Sequence, residues 1–248
     1  MSLMSKAFFR TIKMSPHSVF VYAVLMILLS VIDRIFGSLY IIDMTRNGLS
    51  VESIGIIASL ALAITTLVDF PSGIAADVHG RTKVLAIGLA VWSLGLLFFG
   101  LSGTVLDFAL SMAVWAAGMG TVRRLPQTWV VDTLAAHGRA EDKKIVLPQV
   151  SSVSQLSGAV AAGASVTLMG ISMAWLFGAQ ALFAALACCI ALFGMAENYG
   201  TKTRTRVAVG SLVKLLTETT PMRLVVWRGR WCPMELCRSF CHFGRFIG

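Results

Sequence analysis

Six apolar runs dominate the chain, at roughly 19–42, 53–71, 84–103, 108–131, 146–169 and 173–194. Each approaches or exceeds the span of about 20 apolar residues that a helix needs to cross a bilayer. None alternates with the two-residue period of a barrel strand. Lipid offers no partner to open backbone groups, so runs of this kind fold as helices. The pattern predicts an all-α membrane protein with six transmembrane helices. The first run is too long for a signal peptide, lacks a small-residue cleavage site and is followed directly by another span, so no cleaved leader is expected.

Composition agrees. Of 248 residues, 56% are apolar and 13% are charged, against about 25% charged in a soluble domain. So few charges cannot coat a water-exposed surface. An ordinary cytosolic enzyme, a disordered chain and a disulfide-rich secreted module are thereby excluded. The net charge is +9, and its distribution matters more than its size. The N-terminal tail carries Lys6, Arg10 and Lys13. Arg81 and Lys83 follow span two, Arg139, Lys143 and Lys144 follow span four, and nine basic residues follow span six. The loops on the other side carry Arg46 alone. Basic residues stay cytoplasmic, which puts both termini inside, as expected of a multi-pass protein of the plasma membrane. The surplus charge then faces anionic membrane lipid. Nucleic acid is not an expected partner, because the basic residues do not interleave with aromatics.

The spans differ in polarity. Spans three and six have no ionisable residue in their interiors, which suits a lipid-facing position. Span one carries Asp33 and Arg34 near its middle. Span four carries Arg123, Arg124 and Gln127, with a kink expected at Pro126. Span five has Gln149, Gln155 and several serines in its first half. Intramembrane charges face a bundle interior or a wet cavity, so spans one, four and five are expected to surround a polar interior. On span one, Ser30, Asp33, Gly37 and Tyr40 recur at helical spacing and form one stripe.

Between spans two and three the chain reads Asp69-Phe70-Pro71-Ser72-Gly73-Ile74-Ala75-Ala76-Asp77-Val78-His79-Gly80-Arg81-Thr82-Lys83. Physical roles can be assigned here directly. Gly73 would let the end of span two approach a neighbouring helix, and Gly80 would permit a tight turn. Asp77 can cap a helix N-terminus. Arg81 can pair with a carboxylate at the same end of another span, and Asp132 is the best placed. A plain solvated turn touching lipid is the competing use.

This segment resembles the loop 2–3 signature of the major facilitator superfamily, G-x-x-x-D-x-x-G-R-[RK]-x. Gly73, Asp77, Gly80 and Arg81 fall in register, and Lys83 supplies the basic residue one place late. Gly118 through Asp132 also resembles the fourth helix of that superfamily, although Val114 stands where proton-coupled members often have arginine. The resemblance implies one half of the twelve-helix fold, with its 3+3 inverted repeat. It implies a secondary active transporter moving a small-molecule solute by alternating access. Asp77, Arg81 and Asp132 would form a cytoplasmic gate relay, with Gly73, Gly80 and Lys83 completing the motif. Asp33, Arg34, Arg123, Arg124 and Gln127 would face the central cavity. Those five also admit a buried ion pair between spans, or arginines that snorkel to the interface. One acid against three arginines leaves a local surplus of +2, which favours an anionic solute.

Catalytic signatures are missing: the chain has no HExxH, no G-x-S-x-G and no P-loop, so no enzyme activity is expected. Cys188 and Cys189 read as small core residues, and Cys232, Cys237 and Cys241 do not have a zinc-finger spacing. No metal or cofactor is expected. The chain divides into a cytoplasmic tail at 1–18, a six-helix domain at 19–194, a linker-like segment at 195–227 and an atypical basic, cysteine-containing tail at 228–248. The composition change near 227 suggests a truncated or frameshifted transporter that lacks its C-terminal half. The alternative is a six-helix protein that works with a second copy of itself, or a non-transporting, scaffold-like membrane fragment. The orientation is testable. Cysteines introduced at Arg46 or Thr104 should react with impermeant reagents from outside intact cells, and labelling from the cytoplasm alone would reverse the topology.

Overall fold

A computed structural model of the chain describes residues 16–167 and 172–197. The N-terminal basic cluster, most of the linker-like segment and the cysteine-containing tail lie outside the described residues.

Seven α-helices make up the described residues: α1 (Pro16–Arg46), α2 (Val51–His79), α3 (Arg81–Gly100), α4 (Val105–Val122), α5 (Leu125–Ala136), α6 (Lys143–Thr167) and α7 (Met173–Gly194). A single 3-10 turn, Ala140–Asp142, precedes α6. Because α4 and α5 share one span, the described residues include six helices long and apolar enough to cross a membrane. It is an all-α integral membrane protein.

The apolar runs mark the spans but not their ends. Span two, expected to stop at 71, continues to His79 with Pro71 inside it. Charged and polar residues extend a helix wherever its backbone bonds can continue into water, so the apolar run underestimates its length. The expected loop between spans two and three shrinks to Gly80, which is at once the C-cap of α2 and the N-cap of α3. Its φ is +103°, a value only glycine adopts without strain. Two other starts, those of α2 and α4, are capped by side chains. Ser50 accepts a bond from the Ser53 amide at 3.2 Å. Thr104 and Asp107 exchange bonds of 3.3 and 3.0 Å in a capping box.

Span four is broken rather than kinked. Helix α4 stops at Val122, and α5 restarts at Leu125 with Pro126 in its first turn. Proline lacks the amide that would continue the ladder and disfavours helical backbone before it. The break therefore falls at Arg123 and Arg124, ahead of the proline.

Helix α3 corrects a further expectation. Half of its central window is buried, more than in any other span, because it packs between α4 and α7. The α3–α4 contact is built from a repeated four-residue pattern, Trp92-x-x-Gly95 and Trp115-x-x-Gly118. A side chain added at Gly95 would strike the Trp115 backbone, and one added at Gly118 would strike the Trp92 backbone. Each tryptophan backbone thus sits over the other helix's glycine. Small residues permit this approach, and in lipid close packing is a main source of helix association. At the end of the bundle away from Arg81, Phe99 meets Phe36, Phe108 and Phe177 edge-on at 5.1, 5.1 and 4.9 Å.

The interlock predicts a large asymmetry among glycines. Gly118→Leu should lower stability by about 3 kcal/mol or more, since overpacking against backbone cannot relax through a rotamer change. The same change at Gly178, where an added Cβ meets open space, should lower it far less. Thermal unfolding in detergent would compare them.

Candidate functional site

Two constellations emerge from this packing. The first is a cavity of about 1120 Å³ lined by α1, α2, α4 and α6, with Trp92 contributed by α3. Its lining residues come from the middle of their helices: 26–40 on α1, 58–65 on α2 and 151–162 on α6. The Ser30, Asp33, Gly37 and Tyr40 stripe lines it throughout, as a 3.6-residue period requires. Arg34 and Arg123 line it as well. Arg34 Nη2 donates to Gln155 Oε1 at 2.5 Å, tying α1 to α6. Those two helices also touch closely at Gly158, where an added side chain would collide with Ser30 and Arg34.

Two expected cavity residues are elsewhere. Arg124 follows the break in span four and turns away to Asp69 Oδ2, at 2.9 Å, with 76% of its side chain exposed. Gln127 is exposed on α5 and does not line the cavity. The cavity's ionisable set is therefore Asp33, Arg34 and Arg123, a surplus of one positive charge rather than two. The aromatic wall was missed in sequence. Tyr40 stacks on Phe36 at 5.5 Å and Phe36 on Trp115 at 4.6 Å, with interplanar angles of 8° and 18°. The repeated Trp-x-x-Gly pattern was the available signal for Trp92 and Trp115.

The second constellation centres on Arg81. Its side chain is only 7% exposed, although it is the first residue of a membrane helix. Nη2 donates to Asp77 Oδ1 at 3.1 Å, and Nη1 donates to the Thr128 carbonyl at 3.2 Å and to Asp132 Oδ2. One guanidinium thereby binds the end of α2 to α5. Asp77 and Asp132 are each about two-fifths exposed, so water shares in stabilising both carboxylates.

Three details depart from expectation. Asp77 does not cap α3, since it sits in the last turn of α2 and is engaged by Arg81. The α3 N-terminus has no side-chain cap of its own from Gly80. Instead Glu197 Oε1 accepts from the Thr82 amide at 3.2 Å, and the Ala196 carbonyl accepts from the Trp129 indole at 2.9 Å. Gly73 meets nothing within 4 Å and mediates no close approach. Lys83 is exposed.

No family model matches the chain. It is similar to a protein of Synechocystis sp. (strain ATCC 27184 / PCC 6803 / Kazusa) named "Glucose transport protein", with 30% identity over 130 residues. That match covers 51% of this chain and 27% of the Synechocystis protein, so the chain corresponds to about a quarter of its length.

The Arg81 contacts should be energetically coupled. A double-mutant cycle of Arg81→Ala and Asp132→Ala should give a coupling free energy of about 1.5–3 kcal/mol, the range for hydrogen bonds to charged groups. A cycle of Arg124→Ala and Asp69→Ala should give less than about 1 kcal/mol, because Arg124 is solvent-exposed. Chemical denaturation in mixed micelles would measure both.

Proposed function

We propose that this chain is the first six-helix half of a secondary transporter of the major facilitator type, moving a small polar solute by alternating access. The observation that carries the reading is the polar-lined cavity at mid-helix depth, where a solute exchanged between the two sides must pass. Intramembrane Asp33, Arg34 and Arg123 are expensive in lipid and are accounted for by such a path. The similarity to a protein named as a glucose transport protein supports it independently.

In this reading the termini are cytoplasmic, the membrane is the plasma membrane, and Arg81 latches the cytoplasmic side. Gly80 sets the turn that delivers Arg81 between Asp77 and Asp132. Holding α2 to α5 favours the state closed on that side and open on the other. Release of the latch is the step that lets the cavity face inward. The rest of the transporter would come from a C-terminal half or from a second copy of this chain.

The solute best suited to the cavity is a sugar. Hydroxyl groups both donate and accept, and the lining offers both: a carboxylate at Asp33, the Arg34–Gln155 pair, and serines on α1 and α6. Sugar rings also present apolar C–H faces that suit the Tyr40–Phe36–Trp115 wall. A second reading, an anionic solute, keeps the support of Arg123, which lines the cavity and forms no ion pair among the described residues. With Arg124 engaged elsewhere, that support is weaker than the sequence implied.

Proteoliposomes containing the chain, alone and as a tandem duplicate, would be tested for exchange of radiolabelled glucose and of lactate. Saturable glucose exchange is the expected result. Lactate exchange abolished by Arg123→Ala would favour the anion, and exchange of neither would leave a non-transporting membrane fragment. In the active form, Asp77→Asn and Arg81→Ala should each raise cytoplasmic-side accessibility of the cavity by about 10-fold or more, from the loss of one charge-assisted contact. Unchanged accessibility in both variants would remove the latch.

A further inference from the structure

Most glycines of this bundle have a visible reason. Gly48, Gly80 and Gly138 have positive φ. Gly88, Gly95, Gly118, Gly120 and Gly158 have a neighbouring helix where a side chain would be. Gly37 has neither. It lies inside the 31-residue helix α1, with nothing within 4 Å of where its Cβ would be. Glycine weakens a helix interior relative to alanine, and no packing contact here offsets that. Gly37 is exposed, yet among the described residues it is the one glycine that lines the cavity.

Its surroundings complete the argument. On the same face of α1, Asp33 lies one turn before it and Tyr40 one turn after. Phe36 precedes it directly, in the middle of a stack whose ring planes lie nearly parallel to those of Tyr40 and Trp115. The missing side chain therefore leaves open space beside an aromatic stack, with a carboxylate one turn away. Arg34, also one turn before Gly37, is fixed by Gln155, so hydrogen-bonding groups border the same space.

We propose that Gly37 is the specificity-determining position of the cavity: the space left by its missing side chain, beside the Tyr40–Phe36–Trp115 stack, seats the ring of a sugar-sized solute. This rests on the sugar reading above. The apolar face of the ring lies against the aromatics, and its hydroxyl edge meets Asp33 and the Arg34–Gln155 pair. A Cβ at 37 meets nothing within 4 Å beyond its chain neighbours, so a larger residue there narrows the seat. Ring-sized solutes should then be rejected and smaller ones kept.

The test is equilibrium binding of radiolabelled glucose to the purified full chain in nanodiscs, with unlabelled glycerol as a ringless competitor. Gly37→Val should weaken glucose binding by about tenfold or more and leave competition by glycerol unchanged. Gly37→Ala should give a smaller loss with an unchanged or higher melting temperature, so it carries the test should the valine variant fold poorly. Gly55→Val is the control, since Gly55 is equally open but does not line the cavity, and its glucose affinity should match the parent chain. Trp115→Leu should reduce glucose affinity several-fold without affecting glycerol. Glucose affinity unaltered by both Gly37 variants, or lowered equally by Gly55→Val, would overturn the role of Gly37 and leave the sugar reading standing. If the unsubstituted chain binds no glucose, the sugar reading itself falls, and the seat falls with it.

Discussion

The reciprocal seating of Trp92 over Gly118 and of Trp115 over Gly95 is the contact on which the rest of the bundle depends. Inside a bilayer, apolar surface gains little by leaving lipid for protein, so helices must be held by close fit. One glycine on each helix, three residues after that helix's tryptophan, brings the α3 and α4 backbones together. That fit fixes the rotation of α4 about its axis. With the rotation fixed, Trp115 reaches Phe36 on α1, and Arg123, two turns further on, faces the same side as the cavity. The polar centre of the protein is thus aimed by an apolar contact behind it.

The Arg81 end is organised by opposite means. There the chain has one residue, Gly80, in which to reverse between two membrane helices. The positive φ of that glycine determines where the next side chain starts, and Arg81 is carried inward between two carboxylates instead of outward to water. A buried guanidinium costs least when its donors are paired; both terminal nitrogens of Arg81 are, while its Nε has no hydrogen-bond partner among the described residues. Close fit sets the cavity wall, while charge and a single backbone angle set the end of the bundle.

How much of this was legible beforehand follows from the kind of interaction involved. The six spans were readable because lipid imposes a length and a polarity on every helix. The Ser30–Tyr40 stripe was readable because helical period alone decides which residues share a face. The pairing of Arg81 with Asp132 was suggested by charge, depth and motif together. Arg124 was misplaced because its direction depends on where span four breaks, and one residue more or less of helix swings a side chain by about 100°. Asp69, which receives it, is 55 positions away and could not be chosen from local pattern. Asp77 was misassigned as a cap because the turn was expected to be a loop, whereas helix continues almost to Gly80. The aromatic wall escaped because large apolar residues in a membrane span fit lipid, core and cavity equally well.

The borrowed cap on α3 has a consequence for the order in which the protein can be completed. The first turn of α3 emerges early in synthesis with a free amide at Thr82, and its acceptor is Glu197, 115 positions later. The Trp129 indole waits for Ala196 in the same way. Until α7 has been inserted and its end has folded back, the neighbourhood of Arg81 lacks both bonds. A nascent chain released from the ribosome before residue 197 would keep all of its earlier spans, yet its Arg81 end would still be unfinished.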